Sequence, residues 1–229
     1  MTKLQLPVFE IDVFGQNIST SGFYCNSLKA HLQKHHFIFV PHKHDFYLTV
    51  LFTKGKGTHE VDFINYDIKP GSVFFLSPGQ VHNWNLSEGT DGFIFFHSKE
   101  FYDLFFNSRT IIDLPFFNSI YNSPVLYLNL NILGKVTSLF NEVLKEYRSG
   151  QKYYKKERLC SLIDLLYIEL ARVYVPEKKR NIMNFGYREK LKKLENLVDT
   201  NFRVLKSSSE YAYKLNMTGK HLNRICQVC

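Results

Sequence analysis

The stretch Gly71-Ser72-Val73-Phe74-Phe75-Leu76-Ser77-Pro78-Gly79-Gln80-Val81-His82 places a short apolar run between turn-forming residues. Turns are favoured on both sides of the run, by Pro70 and Gly71 before it and by Pro78 and Gly79 after it. Proline fixes the backbone angle φ, and glycine can adopt a positive φ. Valine and phenylalanine favour strands, and five residues are too few for a typical helix. The stretch therefore predicts a strand over Ser72–Leu76.

Runs of the same kind lie on both sides of this strand, from about residue 37 to residue 97. They are separated by turn residues at 54–57, at Asn65-Tyr66 and at 70–71, a pattern typical of antiparallel hairpins in a sandwich or barrel. Segments 5–13 and 124–130 are candidates for further strands. The predicted strands are His36–Val40, Phe46–Thr53, Thr58–Phe63, Ser72–Leu76, Val81–Leu86 and Gly92–Phe96.

The hydrophobic period changes from two to about 3.6 residues after Asn131, which indicates amphipathic helices. One helix is predicted over about 131–148 and a second from Lys155 to about Val175, before Pro176. A polar linker over 176–187 and a third helix over 188–201 follow. The apolar stripe of the first helix consists of Leu133, Val136, Leu139, Phe140, Val143, Leu144 and Tyr147.

Positive charge is concentrated in the helical part of the chain. Residues 1–130 hold 9 Lys and Arg against 11 Asp and Glu, whereas residues 131–229 hold 20 against 10. A basic segment joined to a near-neutral one is typical of a nucleic-acid-binding part attached to a non-binding domain. A solvated helical surface gives the same charge balance, so only a sequence motif can distinguish these two interpretations.

Other bulk features favour a cytoplasmic protein without a membrane partner. No apolar run approaches the roughly 20 residues that cross a bilayer, and the first residues lack the apolar stretch of a signal peptide. The four cysteines are scattered, so reduced thiols are expected. The pair Cys226 and Cys229 has a C-x-x-C spacing but no further ligands to complete a zinc site.

The segment from Ser207 to Arg224 has the signals of two short helices joined by a tight turn. Ser207 and Glu210 form a predicted capping box, and Asn216 tolerates the left-handed backbone of a turn. Thr218 then caps a second helix, whose Leu222 and Ile225 face inward. The outward positions hold Lys220, Asn223, Arg224 and Gln227, side-chain types that read base edges and phosphates.

This segment resembles the first of two helix-turn-helix units in AraC-type transcription regulators. The resemblance is carried by Ala212, Leu215, Asn216, Met217, Thr218, Leu222 and Arg224, while Gly219 and Cys226 depart from the family's usual residues. It implies double-stranded DNA as a partner. The implied DNA-binding residues are Thr218, Lys220, Asn223, Arg224 and Gln227. The family's second unit does not follow, so a truncated chain is expected.

The stretches 41–47 and 71–82 look like the two motif regions of a cupin barrel. His42 and His44 would share one strand face, and His82 would face them from another strand. Three imidazoles can hold a metal, but Leu48 and Thr49 stand where metal-binding cupins have a carboxylate. No metal or other cofactor is therefore expected.

The resemblance implies a small effector, a sugar or a small organic acid, in the β-domain. The candidate ligand-binding residues are His42, His44, Tyr47, His82 and Trp84. Two alternatives stay open for this domain. Trp84 can pack in the core, and an interior filled by phenylalanines would make the domain a dimerisation scaffold.

The predicted fold class is α+β: an N-terminal cupin-like antiparallel β-barrel, a helical linker and a partial helix-turn-helix domain. The predicted domains are residues 1–130, 131–176 and 177–229. The predicted function is ligand-responsive, non-enzymatic regulation of transcription by a homodimer that forms through residues 131–148. The alternatives are a cupin-type metal-dependent enzyme with a helical appendage and a structural β-domain whose helix-turn-helix binds protein.

Overall fold

A computed structural model describes residues 6–15, 22–35, 39–106, 109–118, 122–174 and 185–228. The chain divides into two compact units, Met1–Tyr174 and Val175–Cys229. The helices of the segment that the sequence assigned to a linker, 131–176, belong to the same unit as the strands.

The first unit alternates short strands with a few helices. Its strands are β1 Val8–Phe9, β2 Phe23–Ser27, β3 Lys43–His44, β4 Tyr47–Lys54, β5 Gly57–Val61, β6 Ile64–Ile68, β7 Ser72–Leu76, β8 His82–Leu86, β9 Asp91–His97 and β10 Val125–Tyr127. Its helices are α1 Leu28–Lys34, α2 Lys99–Asp103, α3 Leu130–Arg148 and α4 Lys155–Tyr174. Single 3-10 turns cover Ile11–Phe14 and Ile111–Asp113.

Two antiparallel sheets form the body of this unit. The five-stranded sheet has the order β10-β7-β4-β9-β2, and the three-stranded sheet has the order β6-β5-β8. Strands β1 and β3 form a short parallel pair. One apolar core combines residues of both sheets, including Phe52 and Phe74 of the larger sheet and Val61 of the smaller one. The predicted α+β class with a cupin-like antiparallel β-domain is confirmed.

The central strand β4 separates this core from a second one, because side chains alternate between the two faces of a strand. Leu48, Val50 and Phe52 lie in the core shared by the two sheets. Tyr47 and Leu51 lie in the other core, which also contains buried residues of α3 and α4. A single strand therefore has the interior of the β-domain on one face and the helices on the other.

The apolar stripe predicted on α3 packs within its own chain. Val136, Phe140, Val143 and Leu144 are buried in the core beside α4. Leu133, Leu139 and Tyr147 are partly buried and pack against the same cluster. The width of the stripe thus has an explanation inside one chain.

Several predicted boundaries are wrong. The hairpin after β5 turns at Asp62-Phe63, and Asn65-Tyr66 lies inside β6 instead of forming the turn. Of the predicted strand His36–Val40, positions 36–38 lie outside the described residues, and Phe39 and Val40 are not in a strand. The described part of segment 5–13, residues 6–13, contains only the two-residue β1 and part of a 3-10 turn.

The described residues of the second unit form the helices α5 Phe185–Asn201, α6 Ser208–Lys214 and α7 Gly219–Val228. Tyr211, Ala212 and Leu222 are buried in its core, with Leu194 and Leu197 of α5 packed against them. The predicted third helix starts three residues earlier than expected, and most of the predicted linker 176–187 lies outside the described residues. In the part of the chain that the structure describes, no helix has both the length and the apolarity to span a bilayer.

Candidate functional site

Three histidines that the sequence singled out meet in the interior of the β-domain. The backbones of His42 and His82 pair as an isolated antiparallel bridge, with N···O distances of 3.2 and 3.0 Å. The ring of His82 lies 4.3 Å from that of His42 and 5.1 Å from that of His44, measured between centroids. All three side chains are buried. The predicted convergence of these residues is therefore found in the structure.

A fourth histidine, which the sequence analysis missed, completes the group. Nε2 of His59 lies 3.0 Å from Nδ1 of His82, and the ring of His59 is 4.5 Å from that of Phe74. His59 points inward from β5, where it is paired with Trp84 of β8. No sequence motif marks His59. Only the alternation of side chains along β5 could have indicated that it points inward.

Trp84 closes the cluster on the three-stranded sheet. It is 3% exposed, and its ring lies 5.3 Å from that of His59 and 5.5 Å from that of His82. We call His42, His44, His59, His82 and Trp84 the histidine–tryptophan cluster. Buried phenylalanines surround it in the same core, so the interior is both aromatic and polar.

The hydrogen bonds of the cluster leave several nitrogens unused. Nδ1 of His44 donates to the carbonyl oxygen of Phe46 at 2.7 Å, so its Nε2 is an acceptor. His59 and His82 share one hydrogen bond, so one of their two remaining nitrogens carries a proton and the other does not. Among the described residues, Nε2 of His44, Nδ1 of His59, Nε2 of His82 and Nε1 of Trp84 are buried without a partner in the protein.

This count amounts to two donors and two acceptors in one buried region. An unpaired buried polar group costs about 1–3 kcal/mol, so a cluster of four is unusual in a core that serves only packing. A molecule that both donates and accepts hydrogen bonds could pair with these nitrogens.

Burial also keeps these imidazoles neutral. Desolvation lowers the pKa of His44 to about 3 and lowers the pKa of His59 and of His82 well below the usual range. It lowers the pKa of His42 as well. The titratable neighbours that contribute to these shifts are other histidines, and no Lys, Arg, Asp or Glu side chain is among them.

The residues fit a metal poorly. Within the described ranges, no group of three or more His, Cys, Asp or Glu side chains is arranged to hold a metal ion. Nδ1 of His82 is hydrogen-bonded to Nε2 of His59, so each of these two rings already has one nitrogen engaged by the other.

Tyr47, by contrast, is not part of the cluster. Its ring stacks on His97 at 5.6 Å and meets Phe117 edge-on at 5.0 Å, on the helix side of β4. Tyr47 is the first residue of β4, and the next residue, Leu48, lies in the core shared by the two sheets. Alternation along β4 therefore turns Tyr47 to the opposite face.

The second unit has the local structure that its sequence predicts. Ser207 and Glu210 form the capping box of α6, and Asn216 has a positive φ of 52° in the turn that follows. The hydroxyl of Thr218 accepts a hydrogen bond from the backbone N–H of His221 at 3.2 Å. Leu222 is buried on the inner side of α7.

The outer side of α7 carries most of the residues that the sequence assigned to DNA. Thr218, Lys220, Asn223 and Arg224 are exposed, and the side chain of Gln227 lies outside the described residues. Residues 175–229 contain 12 Lys and Arg and 5 Asp and Glu, a net charge of +7 for this unit. The first unit is close to neutral.

A known protein family matches part of the β-domain. Residues 27–98 match the family described as AraC-like ligand binding domain. No curated protein sequence matches the chain.

Solved structures of AraC-family regulators are among those similar to the chain. The AraC-like transcriptional activator CuxR is 14% identical over 80% of this chain and 61% of its own, with a TM-score of 0.40. ToxT from Vibrio cholerae, with an unsaturated fatty acid bound, is 17% identical over 91% of this chain and 74% of its own, with a TM-score of 0.40. This chain thus spans less than two thirds of CuxR.

The matched range, residues 27–98, includes every member of the histidine–tryptophan cluster. This part of the chain is therefore similar to the AraC-like ligand binding domain family, in agreement with the resemblance to AraC-type regulators.

Proposed function

We propose that the protein is a ligand-responsive, DNA-binding transcription regulator whose effector binds at the histidine–tryptophan cluster. The observation that carries this proposal is the set of four buried, unpartnered nitrogens inside the region that is similar to AraC-like ligand binding domains. An effector that pairs with them would regain the hydrogen bonds that folding removed. Binding sites are typically apolar and aromatic with a few polar groups that fix orientation, and the cluster fits that description.

Of the two effector classes that the sequence allows, the cluster favours a neutral polyhydroxyl molecule such as a sugar. A hydroxyl group both donates and accepts, so it can pair with either kind of unused nitrogen. A carboxylate only accepts and would enter a region whose histidines are neutral. Trp84 adds a flat face against which a sugar ring can stack.

The fluorescence of Trp84 offers a direct test, because it is the only tryptophan and belongs to the site. Neutral sugars would be titrated beside the matched uronic acids, which add a carboxylate to the same ring. We expect saturable changes for a neutral sugar and their loss in His82→Leu. If an acid binds instead, and more tightly as the pH falls below the ordinary histidine pKa of about 6.5, a cluster histidine takes up a proton and the neutral class is wrong.

For DNA, we propose that α7 is the recognition helix and that Thr218, Lys220, Asn223, Arg224 and Gln227 contact the duplex. The exposure of the first four, and the net charge of +7 of the second unit, support this assignment. A basic helix with exposed Lys, Asn and Arg side chains can contact both phosphates and base edges. Action on DNA also agrees with a cytoplasmic location.

We further propose that the protein acts as a homodimer through α3. Most of the apolar stripe of α3 packs within its own chain. The dimer contact would therefore use the first residues of the helix, where Leu130 is 85% exposed and Leu133 is half-buried. Two linked copies would read paired half-sites, and their combined affinity would exceed that of either copy alone.

An enzymatic role receives less support. A cupin-type metalloenzyme needs ligands for its metal and a group that moves protons, whereas the pKa values of the cluster histidines are too low for them to titrate near neutral pH. Elemental analysis of protein purified without chelator distinguishes the metalloenzyme from the transcription regulator. One tightly bound metal per chain, lost in His44→Leu, would favour the enzyme.

A further inference from the structure

A connection from the histidine–tryptophan cluster to the helix side of the sheet starts at His44. The ring of His44 faces His82 in the site, and its Nε2 is one of the unpartnered nitrogens. Its Nδ1 donates to the carbonyl oxygen of Phe46 at 2.7 Å. That carbonyl belongs to the peptide that joins Phe46 to Tyr47, the first residue of β4. A shift of the imidazole therefore acts on the peptide that orients Tyr47.

The connection continues through two stacked rings on the opposite face. Tyr47 lies parallel to His97 of β9, with 5.6 Å between the ring centroids and 17° between the ring planes. His97 is fully buried, and its Nδ1 donates to the carbonyl oxygen of Ser98 at 2.9 Å. Its Nε2 must then accept, which fixes the direction of the next hydrogen bond.

That next bond reaches α4. The hydroxyl of Tyr167 donates to Nε2 of His97 at 2.8 Å and accepts from the hydroxyl of Thr49 at 3.1 Å. Tyr167 and Thr49 are fully buried, so water does not compete for these bonds. Helix α4 is the last element of the first unit, and the chain runs from it towards the second unit.

We propose that Tyr47, His97 and Tyr167 transmit the position of His44 to α4 and so couple the effector site to the helix that leads to the DNA-binding unit. This inference rests on the proposed function, because it assigns the regulation of the same site. An effector that pairs with Nε2 of His44 would shift the imidazole, the peptide before Tyr47 and the stacked pair. Tyr47 and Tyr167 are then positioning residues that never touch the effector.

Hydrogen exchange of the whole chain without ligand tests the coupling. His44→Leu and its control His59→Leu each remove one imidazole from the same site. No described residue of β5, the strand of His59, belongs to the core around α4. We expect His44→Leu to reduce the protection of the α4 amides near Tyr167 by roughly two- to thirtyfold, the range of a typical coupling, and His59→Leu to leave it unchanged.

A second pair of variants keeps the test decisive if His44→Leu folds poorly. Tyr47→Phe keeps the stacked ring and is expected to leave α4 protection unchanged, whereas Tyr47→Leu removes the ring and is expected to reduce it. Equal effects of His44→Leu and His59→Leu, or of Tyr47→Leu and Tyr47→Phe, would overturn the proposal. Because no ligand is present, this failure is distinct from a failure of the Trp84 titration, which would contradict the effector site itself.

Discussion

His59 and His82 share a hydrogen bond of 3.0 Å in the interior of the β-domain, and neither ring has a carboxylate to balance a positive charge. Both imidazoles are fully buried, and desolvation lowers the pKa of each well below its ordinary value. The same cause lowers the pKa of His31 and of His44 to about 3, and that of His97 to about 4. The fold therefore requires several histidines to be neutral at once.

This requirement predicts a loss of stability in mild acid. Above pH 6.5 the folded and unfolded chains both hold these imidazoles neutral, so the full stability is present. Between pH 6.5 and about 3, these histidines bind protons in the unfolded chain but not in the folded chain. The free energy of unfolding should then fall by up to about 1.4 kcal/mol per pH unit for each such histidine.

Urea unfolding, followed by Trp84 emission at several pH values between neutral and about 5, measures this slope. His59→Leu removes one histidine that takes up a proton only in the unfolded chain. The free energy of unfolding should therefore depend less steeply on pH, by up to about 1.4 kcal/mol per pH unit. A free energy of unfolding that stays constant across this range would contradict neutral burial of the cluster.

The capping box of α6 predicts a position-specific loss of stability in the second unit. The hydroxyl of Ser207 accepts from the backbone N–H of Glu210, and the Glu210 carboxylate accepts from the backbone N–H of Ser207 at 2.9 Å. Ser207→Ala should cost about 0.5–2 kcal/mol, whereas Ser209→Ala, two residues into the same helix, should be nearly neutral. Thermal unfolding followed by circular dichroism compares the two; equal losses would show that the box contributes nothing of its own.

The sequence predicts best those elements whose signal is local. Strand Ser72–Leu76 and helix α3 are predicted within one residue because turn residues or a change of hydrophobic period mark their ends. Strand β6 is missed because Asn65-Tyr66 has the composition of a turn, while the real turn uses Asp62-Phe63. Asp62 is held there by bonds to Gln80 and to the backbone of Val81, contacts that only the tertiary structure supplies.

The candidate site is predictable in part for the same reason. His42, His44 and His82 lie in recognisable motifs, and strand alternation brings them together. His59 is identified only once β5 is paired with β8, and that pairing is not local. The relation of Tyr47 to Tyr167 joins residues 120 positions apart and requires the packing of α4 on the sheet.

The hairpin at Asp62-Phe63 predicts a stabilising substitution. Phe63 has a φ of 68° and is 78% exposed, so an aromatic residue adopts a left-handed backbone without burial in return. Glycine has no steric penalty there, although it loses more entropy on folding. We expect Phe63→Gly to raise the free energy of unfolding by about 0.5–1 kcal/mol, as measured by urea titration. Phe63→Ala separates the backbone from the ring, and a gain as large as that of glycine would show that relief of the left-handed conformation is not the cause.

The exposed face of α7 predicts which single arginine matters for DNA. Arg224 lies on that face, one residue before the buried Ile225. Arg224→Ala should cost roughly 1–3 kcal/mol on a duplex selected from a random library, at fixed salt concentration. Lys152→Ala removes an exposed positive charge from the first unit and should leave the affinity within error. Equal losses in both variants would indicate attraction by net charge alone.

The exposed start of α3 predicts how a dimer would be broken without unfolding the chain. Leu139 packs against its own core, so a charge there would destabilise the monomer and confuse the result. Leu130 is 85% exposed, and Leu130→Glu should leave the fold unchanged while placing two like charges near each other in a symmetric contact. Leu104→Glu, at a position that is 69% exposed after α2, is the matched control.

We expect sedimentation over a concentration series to show a dimer for the parent chain and for Leu104→Glu, and a monomer for Leu130→Glu. A parent chain that stays monomeric at high micromolar concentration would contradict dimerisation, and a dimer that survives Leu130→Glu would move the contact away from α3.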